Sequence, residues 1–315
     1  MSAPVAAIDC GTNSIRLLIA REAEDGSGRL IDLERHMEIV RLGYGVDRTG
    51  RFDPAAVERT LDAAGRYRTL IERHGAERLR FVATSATRDA SNRADFIDGI
   101  RGILGVEPEV VSGDVEAELS FAGAVTTLED LAPGPRLVVD IGGGSTELVL
   151  GVERPEHRIS LDMGSVRMTE RHLLSDPPTQ DEIDAAIADV DAHLDRAEEH
   201  VPLDAVTTLV GVAGTVTTMT ALVMGLTEYR ADVTHGAEIP AERFLEACER
   251  VLRASREERS RASIIHPGRI DVIGAGALIW ARILHRVQER AGVGTSRTSE
   301  HDILDGIALS VLRDS

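Results

Sequence analysis

An acid, three consecutive glycines and two hydroxyl residues stand together in Asp140-Ile141-Gly142-Gly143-Gly144-Ser145-Thr146-Glu147. Apolar residues flank them, Leu137 to Val139 before and a second run after, so the stretch reads as strand, tight turn, strand. Glycine has no Cβ and reaches positive φ, which lets Gly142, Gly143 and Gly144 aim successive backbone N–H groups at an anion. Asp140 cannot grip phosphate, but a carboxylate can hold a hydrated Mg²⁺ that bridges to phosphate oxygens. Taken alone, the stretch fits an ordinary glycine-rich hairpin turn equally well.

A second copy changes the balance. Asp9-Cys10-Gly11-Thr12-Asn13-Ser14 has the same D-x-G-x-x-S pattern between apolar runs, and the two aspartates lie 140 − 9 = 131 residues apart. That is about one domain, so the chain is expected to hold two related halves, each with a phosphate hairpin, facing each other across a cleft. A strand over 206–210 runs into Gly211-Val212-Ala213-Gly214-Thr215 much as Arg80 to Ala83 runs into Thr84-Ser85-Ala86-Thr87-Arg88. Matching Ala213 to Ala86 gives 213 − 86 = 127, close to the hairpin offset. Both segments follow strand ends, where α/β folds bind ligands.

The elements that position these motifs follow from caps and periodicity. Leu30 to Leu42 alternates as a third strand, and Asp53-Pro54 opens a helix to about His74. Further helices are expected over about 94–104, 180–200, 241–253, 270–290 and 300–312. Ser112 or Asp114 caps another, with Glu116 in its first turn. A carboxylate there suits the helix dipole, so the local pattern favours a plain capping charge. Gly274 and Gly276 suit close helix packing. His235, His266 and His301 match no metal-ligand spacing and are read as structural or surface residues.

At 315 residues the chain fits about two domains at the usual ~150 residues each. No apolar run approaches the ~18 residues of a membrane span, and no basic stretch with an apolar core opens the chain, so neither a membrane segment nor a signal peptide is expected. Two distant cysteines suit a reducing cytoplasm. A net charge of −18 disfavours nucleic acid and anionic membranes as partners. All 35 basic residues are arginine, which excludes a Walker A loop, a protein-kinase site and a Schiff base, since each needs a lysine.

Taken together, Asp9 to Ser14, Ala83 to Arg88, Ser112-Gly113 through Glu116-Ala117, Asp140 to Glu147 and Gly211 to Thr215 resemble the exopolyphosphatase and guanosine pentaphosphate phosphatase (Ppx/GppA) family. The resemblance covers essentially the whole chain. It implies an α/β fold of two ribonuclease-H-like domains of the actin, sugar-kinase and Hsp70 superfamily around a central cleft. The domains would span about 1–124 and 125–299, with the C-terminal helix within 300–315 packing back on the first. Longer relatives add a C-terminal HD-type helical domain, and this chain stops before one could begin, which suits shorter phosphate chains or nucleotides.

The family's acidic motif often reads SGxEEA; Val115 replaces its first Glu here, leaving Glu116 as the matching acid. By the resemblance, Glu116 orients and deprotonates water, Asp140 holds Mg²⁺ and Glu147 supports the metal or the water. Backbone N–H groups of Gly11, Thr12 and Asn13 and of Gly142 to Ser145, with the hydroxyls of Ser14, Ser145 and Thr146, grip the terminal phosphates. Arg88 pairs with phosphate, and Arg16 and Arg167 are weaker candidates. Asp9 is either a second acid of the metal sphere or a brace for its own hairpin. The implied cofactor is Mg²⁺, with Mn²⁺ as a substitute and a monovalent cation as a possible addition. The implied assembly is a cytoplasmic homodimer. The substrate is inorganic polyphosphate, losing terminal phosphate, or pppGpp at its 5′ end. A small-molecule kinase or a silent nucleotide sensor of the same fold are the rival classes.

Overall fold

The computed structural model describes residues 3–313; Met1 and Ser2, and Asp314 and Ser315 at the end of the expected C-terminal segment, lie outside it. The chain divides into two compact units, 1–127 with 302–315, and 128–301.

In the first unit β1 (Val5–Cys10), β2 (Ser14–Glu22), β3 (Leu30–Ile39), β4 (Arg78–Ala83) and β5 (Glu109–Val110) form one sheet in the order β3-β2-β1-β4-β5. β1 is antiparallel to β2 and parallel to β4. It is buried along its whole length, as a central strand covered on both faces must be. Ala6, Ile8 and Cys10 point to the face covered by the helices Pro54–His74 and Arg93–Leu104. Ala7 points to the other face, under the helices Gly113–Val125 and Ile303–Arg313. The period of two therefore places Asp9 on the side of Glu116 and of the C-terminal helix.

The second unit repeats the plan. β6 (Arg136–Ile141), β7 (Thr146–Gly151), β8 (Pro155–Leu161), β9 (Thr208–Val212), β10 (Glu238–Pro240) and β11 (Thr295–Thr298) lie in the order β10-β11-β9-β6-β7-β8. Reading β8-β7-β6-β9-β11 against β3-β2-β1-β4-β5 gives the same neighbours in the same directions, with β10 an added edge. The register corrects one sequence match. Asp9 pairs with Val82 and Asp140 with Val212, an offset of 212 − 82 = 130. Ala213 thus follows its strand directly, three residues earlier than a match to Ala86 requires.

Two boundaries also differ for local reasons. The third strand ends at Ile39, not at Leu42, because the N–H groups of Val40 and Arg41 turn away to donate to the Asn13 carbonyl. The last helix starts at Ile303 because Asp302 caps it, its Oδ1 accepting the Leu304 N–H at 3.0 Å. Among the described residues no helix is long and apolar enough to cross a membrane.

The C-terminal helix meets the Gly113–Val125 helix at backbone contact. A Cβ on Gly123 would lie 1.9 Å from the Asp302 carbonyl oxygen, and one on Gly306 would lie 2.0 Å from the Leu119 carbonyl oxygen. No side chain fits at either position without separating the helices. Gly306→Ala is therefore expected to destabilise the protein by about 1–3 kcal/mol, the usual cost of overpacking, read as a lower urea midpoint.

Candidate active site

Ser112 ends an extended segment and caps its helix, its hydroxyl accepting the Val115 N–H, so Glu116 falls one turn in. Glu116 is no solvent-facing capping charge, which corrects the local sequence preference. It is 8% exposed and accepts Arg88 Nη1 at 2.6 Å. Arg88 is delivered by the short helix Ser85–Asp89 that follows β4, and its Nη1 also donates to the Val111 carbonyl. Burial pushes the Glu116 carboxyl above the usual glutamate range; the Arg88 cation opposes that, the nearby Asp9 charge adds to it, and a Thr84 hydrogen bond lowers it.

Asp9, the penultimate residue of β1, is 4% exposed and lies cross-strand from Arg16. Its Oδ2 accepts Arg16 Nε at 2.9 Å and Nη2 at 2.6 Å, while Arg16 Nη1 reaches Asp302 Oδ2 at 2.5 Å. Asp9 Oδ1 is buried with no hydrogen-bond partner. Burial raises the Asp9 carboxyl above its ordinary range despite Arg16, and the Asp302 charge pushes the same way. Against its own desolvation, Arg16 is held firmly protonated by Asp302 and Asp9. One guanidinium facing two carboxylates leaves one negative charge over, beside an orphaned oxygen.

The hairpin turns of both units are tied by their carbonyls. Gly43 N–H donates to Thr12 O, and Val40 and Arg41 N–H to Asn13 O. In the second unit Ser165 N–H donates to Gly142 O, and Val166 and Arg167 N–H to Gly143 O. Arg167, on the helix Ser165–His172, adds Nε to Gly144 O at 2.7 Å. No protein acceptor among the described residues takes the N–H of Thr12, Asn13, Gly143 or Gly144. Fixed carbonyls with N–H groups left over are what an anion cradle requires. Gly11 and Gly142 close their turns by donating to Ser14 O and Ser145 O.

Asp140 and Glu147 face each other across β6 and β7, in the positions that Asp9 and Arg16 hold across β1 and β2. Both acids are buried, and Glu147 Oε1 accepts the Ser160 hydroxyl at 2.7 Å.

Asp9, Arg88 and Glu116 thus meet in the first unit, and Asp140, Gly142 to Ser145 and Glu147 meet in the second. Arg88 contacts Glu116, where the resemblance implied phosphate. Thr146 needs correction: it is 0% exposed and its hydroxyl donates to Met163 O at 2.5 Å, so it fastens the hairpin and cannot grip phosphate. Thr12 likewise uses its hydroxyl on Ser85 Oγ, 3.0 Å away. Asp302 was not foreseen, although Asp302-x-x-Asp305 is a capping pattern: Asp302 N–H donates back to Asp305 Oδ2 at 3.1 Å. His266 accepts the Gly268 N–H, and His235 and His301 stack edge to face at 5.0 Å, both structural roles.

A family model described as the Ppx/GppA phosphatase family matches residues 18–311. The chain belongs to the Ppx/GppA phosphatase family. Among its relatives, Exopolyphosphatase 2 of Mycobacterium tuberculosis is 49% identical over 313 residues, 98% of each chain. The crystal structure of an exopolyphosphatase-like protein superposes with a TM-score of 0.94 at 49% identity, covering 99% of both chains. The Aquifex aeolicus Ppx/GppA family member superposes at 0.82 with 29% identity, over 100% of this chain and 99% of that one. The architecture of this Ppx/GppA protein is accordingly the actin-like α/β fold of two ribonuclease-H-like halves.

Gly164 is the closest support of the second turn: a Cβ there would lie 2.4 Å from Gly143 O and 2.6 Å from Gly144 N. Gly164→Ala in this Ppx/GppA protein is expected to displace the turn and lower kcat/KM for phosphate release by about 10²-fold, with unchanged circular dichroism.

Proposed function

We propose that the protein is an exopolyphosphatase that releases orthophosphate from the end of inorganic polyphosphate by attack of water prepared by Glu116. The observation that carries this is the Glu116 carboxyl itself: buried, raised above its usual range and held by Arg88 on the same face of the sheet as Asp9. A base works best with a pKa drawn towards the operating pH, and burial does that here. The high identity to an exopolyphosphatase over nearly the full chain supports the same reading.

The donor set fits a divalent cation. Asp9 Oδ1 is an orphaned buried carboxylate oxygen beside a surplus negative charge, and Asp140 and Glu147 form a buried acid pair. No three His, Cys, Asp or Glu side chains among the described residues cluster as a ready-made cage. Mg²⁺ binds through one or two carboxylates, substrate phosphates and water. Each unit carries carboxylates that would hold such an ion, Asp9 in the first and Asp140 with Glu147 in the second, and a bound ion would offset charge on the phosphate oxygens.

The chain's own residues do the remainder. In each unit the turn N–H groups, of Thr12 and Asn13 in the first and of Gly143 and Gly144 in the second, can hold phosphate oxygens with no reorganisation as charge develops. Glu116 accepts the proton of the attacking water at its carboxylate. Arg88 keeps that carboxylate oriented and limits how far burial raises its pKa. Two buried, unbridged cysteines support a cytoplasmic setting. A homodimer rests on the family resemblance alone.

The ionised form of Glu116 acts as base, and its folded pKa is raised. Activity therefore climbs with pH through a window above the ordinary glutamate range. Over that same window the stability contributed by the neutral form is lost. Arg88→Met removes a lowering influence, so the acid limb of kcat/KM moves to higher pH. Glu116→Gln is expected to cut Mg²⁺-dependent phosphate release by about 10² to 10⁴ while polyphosphate binding persists. Unchanged turnover in that variant removes Glu116 from the reaction. A pppGpp 5′-phosphohydrolase would use the same groups. Parallel kinetics on polyphosphates of defined length and on pppGpp separate the two, and a strong preference for pppGpp overturns the first reading.

A further inference from the structure

Asp302 is held on every side. Its Oδ1 caps the C-terminal helix through the Leu304 N–H, and its carbonyl accepts the N–H groups of Asp305 and Gly306. That carbonyl oxygen also abuts Gly123 on the Glu116 helix. Asp305, which accepts the Asp302 N–H, is itself fixed by Arg35, with Nη2 at 2.5 Å from Oδ1 and Nη1 at 3.2 Å from Oδ2. Asp302 Oδ2 is left to face Arg16.

The grip of Arg16 on Asp9 is off-centre. A guanidinium opposite a lone carboxylate prefers a parallel fork, one N–H to each oxygen. Here Nε and Nη2 both bear on Asp9 Oδ2, Nη1 goes to Asp302, and Asp9 Oδ1 is left bare. Asp302 is the contact that draws the fork aside.

We infer that Asp302 is a positioning residue for the cation-binding oxygen of Asp9. By holding Arg16 through Nη1 it keeps the guanidinium off Asp9 Oδ1 and leaves that oxygen bare for a divalent ion. The inference rests on the metal-dependent reading above. A role confined to docking the C-terminal helix would lower stability without altering metal affinity.

Asp302→Asn tests this, because asparagine is nearly isosteric and caps helices as well as aspartate does. Mn²⁺ binding to the full-length chain, followed by electron paramagnetic resonance without substrate, is expected to weaken by about tenfold or more, the usual effect of losing a group that orients a metal ligand. The Mg²⁺ requirement for phosphate release should rise in parallel, with kcat at saturating Mg²⁺ near wild type. Wild-type Mn²⁺ affinity in folded Asp302→Asn, with wild-type protein binding the ion, overturns this inference alone. Wild-type protein that binds no Mn²⁺ overturns the metal-dependent reading with it. Should Asp302→Asn fail to fold, Arg16→Gln is compared with the Arg16→Gln, Asp302→Asn double variant. Equal Mn²⁺ affinity in those two is expected, since Asp302 acts through Arg16, and a further loss in the double variant overturns the inference.

Discussion

A carboxylate within a wholly buried strand has to be compensated, and much of the first unit can be understood as the means of compensating Asp9. Its strand is the central one, and the aspartate is only 4% exposed. Removing an ion from water costs several kcal/mol even after relaxation, which no neutral packing offsets. Arg16, directly across the hairpin, supplies the countercharge, but Asp302 shares it. The cluster is thus satisfied as a fold yet left one positive charge short. Such a deficit at one bare oxygen favours a function that brings a cation.

The duplicated plan makes the divergence of the halves informative. Apart from the added edge β10 both units run their sheets in the same order, and both carry aspartate as the penultimate residue of the central strand with the same antiparallel hairpin beyond. The residue opposite that aspartate differs: Arg16 in one, Glu147 in the other. Two acids opposite each other across a strand pair are a different setting from an acid opposite an arginine. What the halves keep in common is the turn, with its carbonyls fastened down and two of its N–H groups given to no backbone acceptor among the described residues. One fold plan thus serves two electrostatic roles.

Much of this was legible in the chain because it is carried by local signals. Alternating apolar runs, a D-x-G-x-x-S turn and Asp53-Pro54 each act over a few residues, and the helix Pro54–His74 and all four hairpin strands appear where those signals lie. Glu116 was singled out by family motif and not by physics, since a carboxylate in a first turn looks the same whether exposed or buried. Only the approach of Arg88, 28 residues away, decides its environment. Thr146 was misread for a related reason: its hydroxyl sits beside the glycines in sequence, but the pleat turns it inward to Met163. β10 and β11 carry too few residues to show a period, and Asp302 meets Arg16 from 286 residues away, beyond any local pattern.

The pair of glycines that lets two helices touch backbone to backbone joins Glu116's helix to the chain's last one. On the ribosome, β1 to β5 and the Gly113–Val125 helix emerge long before Asp302 and Ile303 to Arg313. Until those residues arrive, Ala7, Leu18 and Val82 lack the share of their cover that Ile303, Leu304, Ile307 and Ala308 supply, and Arg16 has only one of its two anionic partners. The 128–301 unit, contiguous in sequence, can close first. Vectorial synthesis therefore completes the amino-terminal half last.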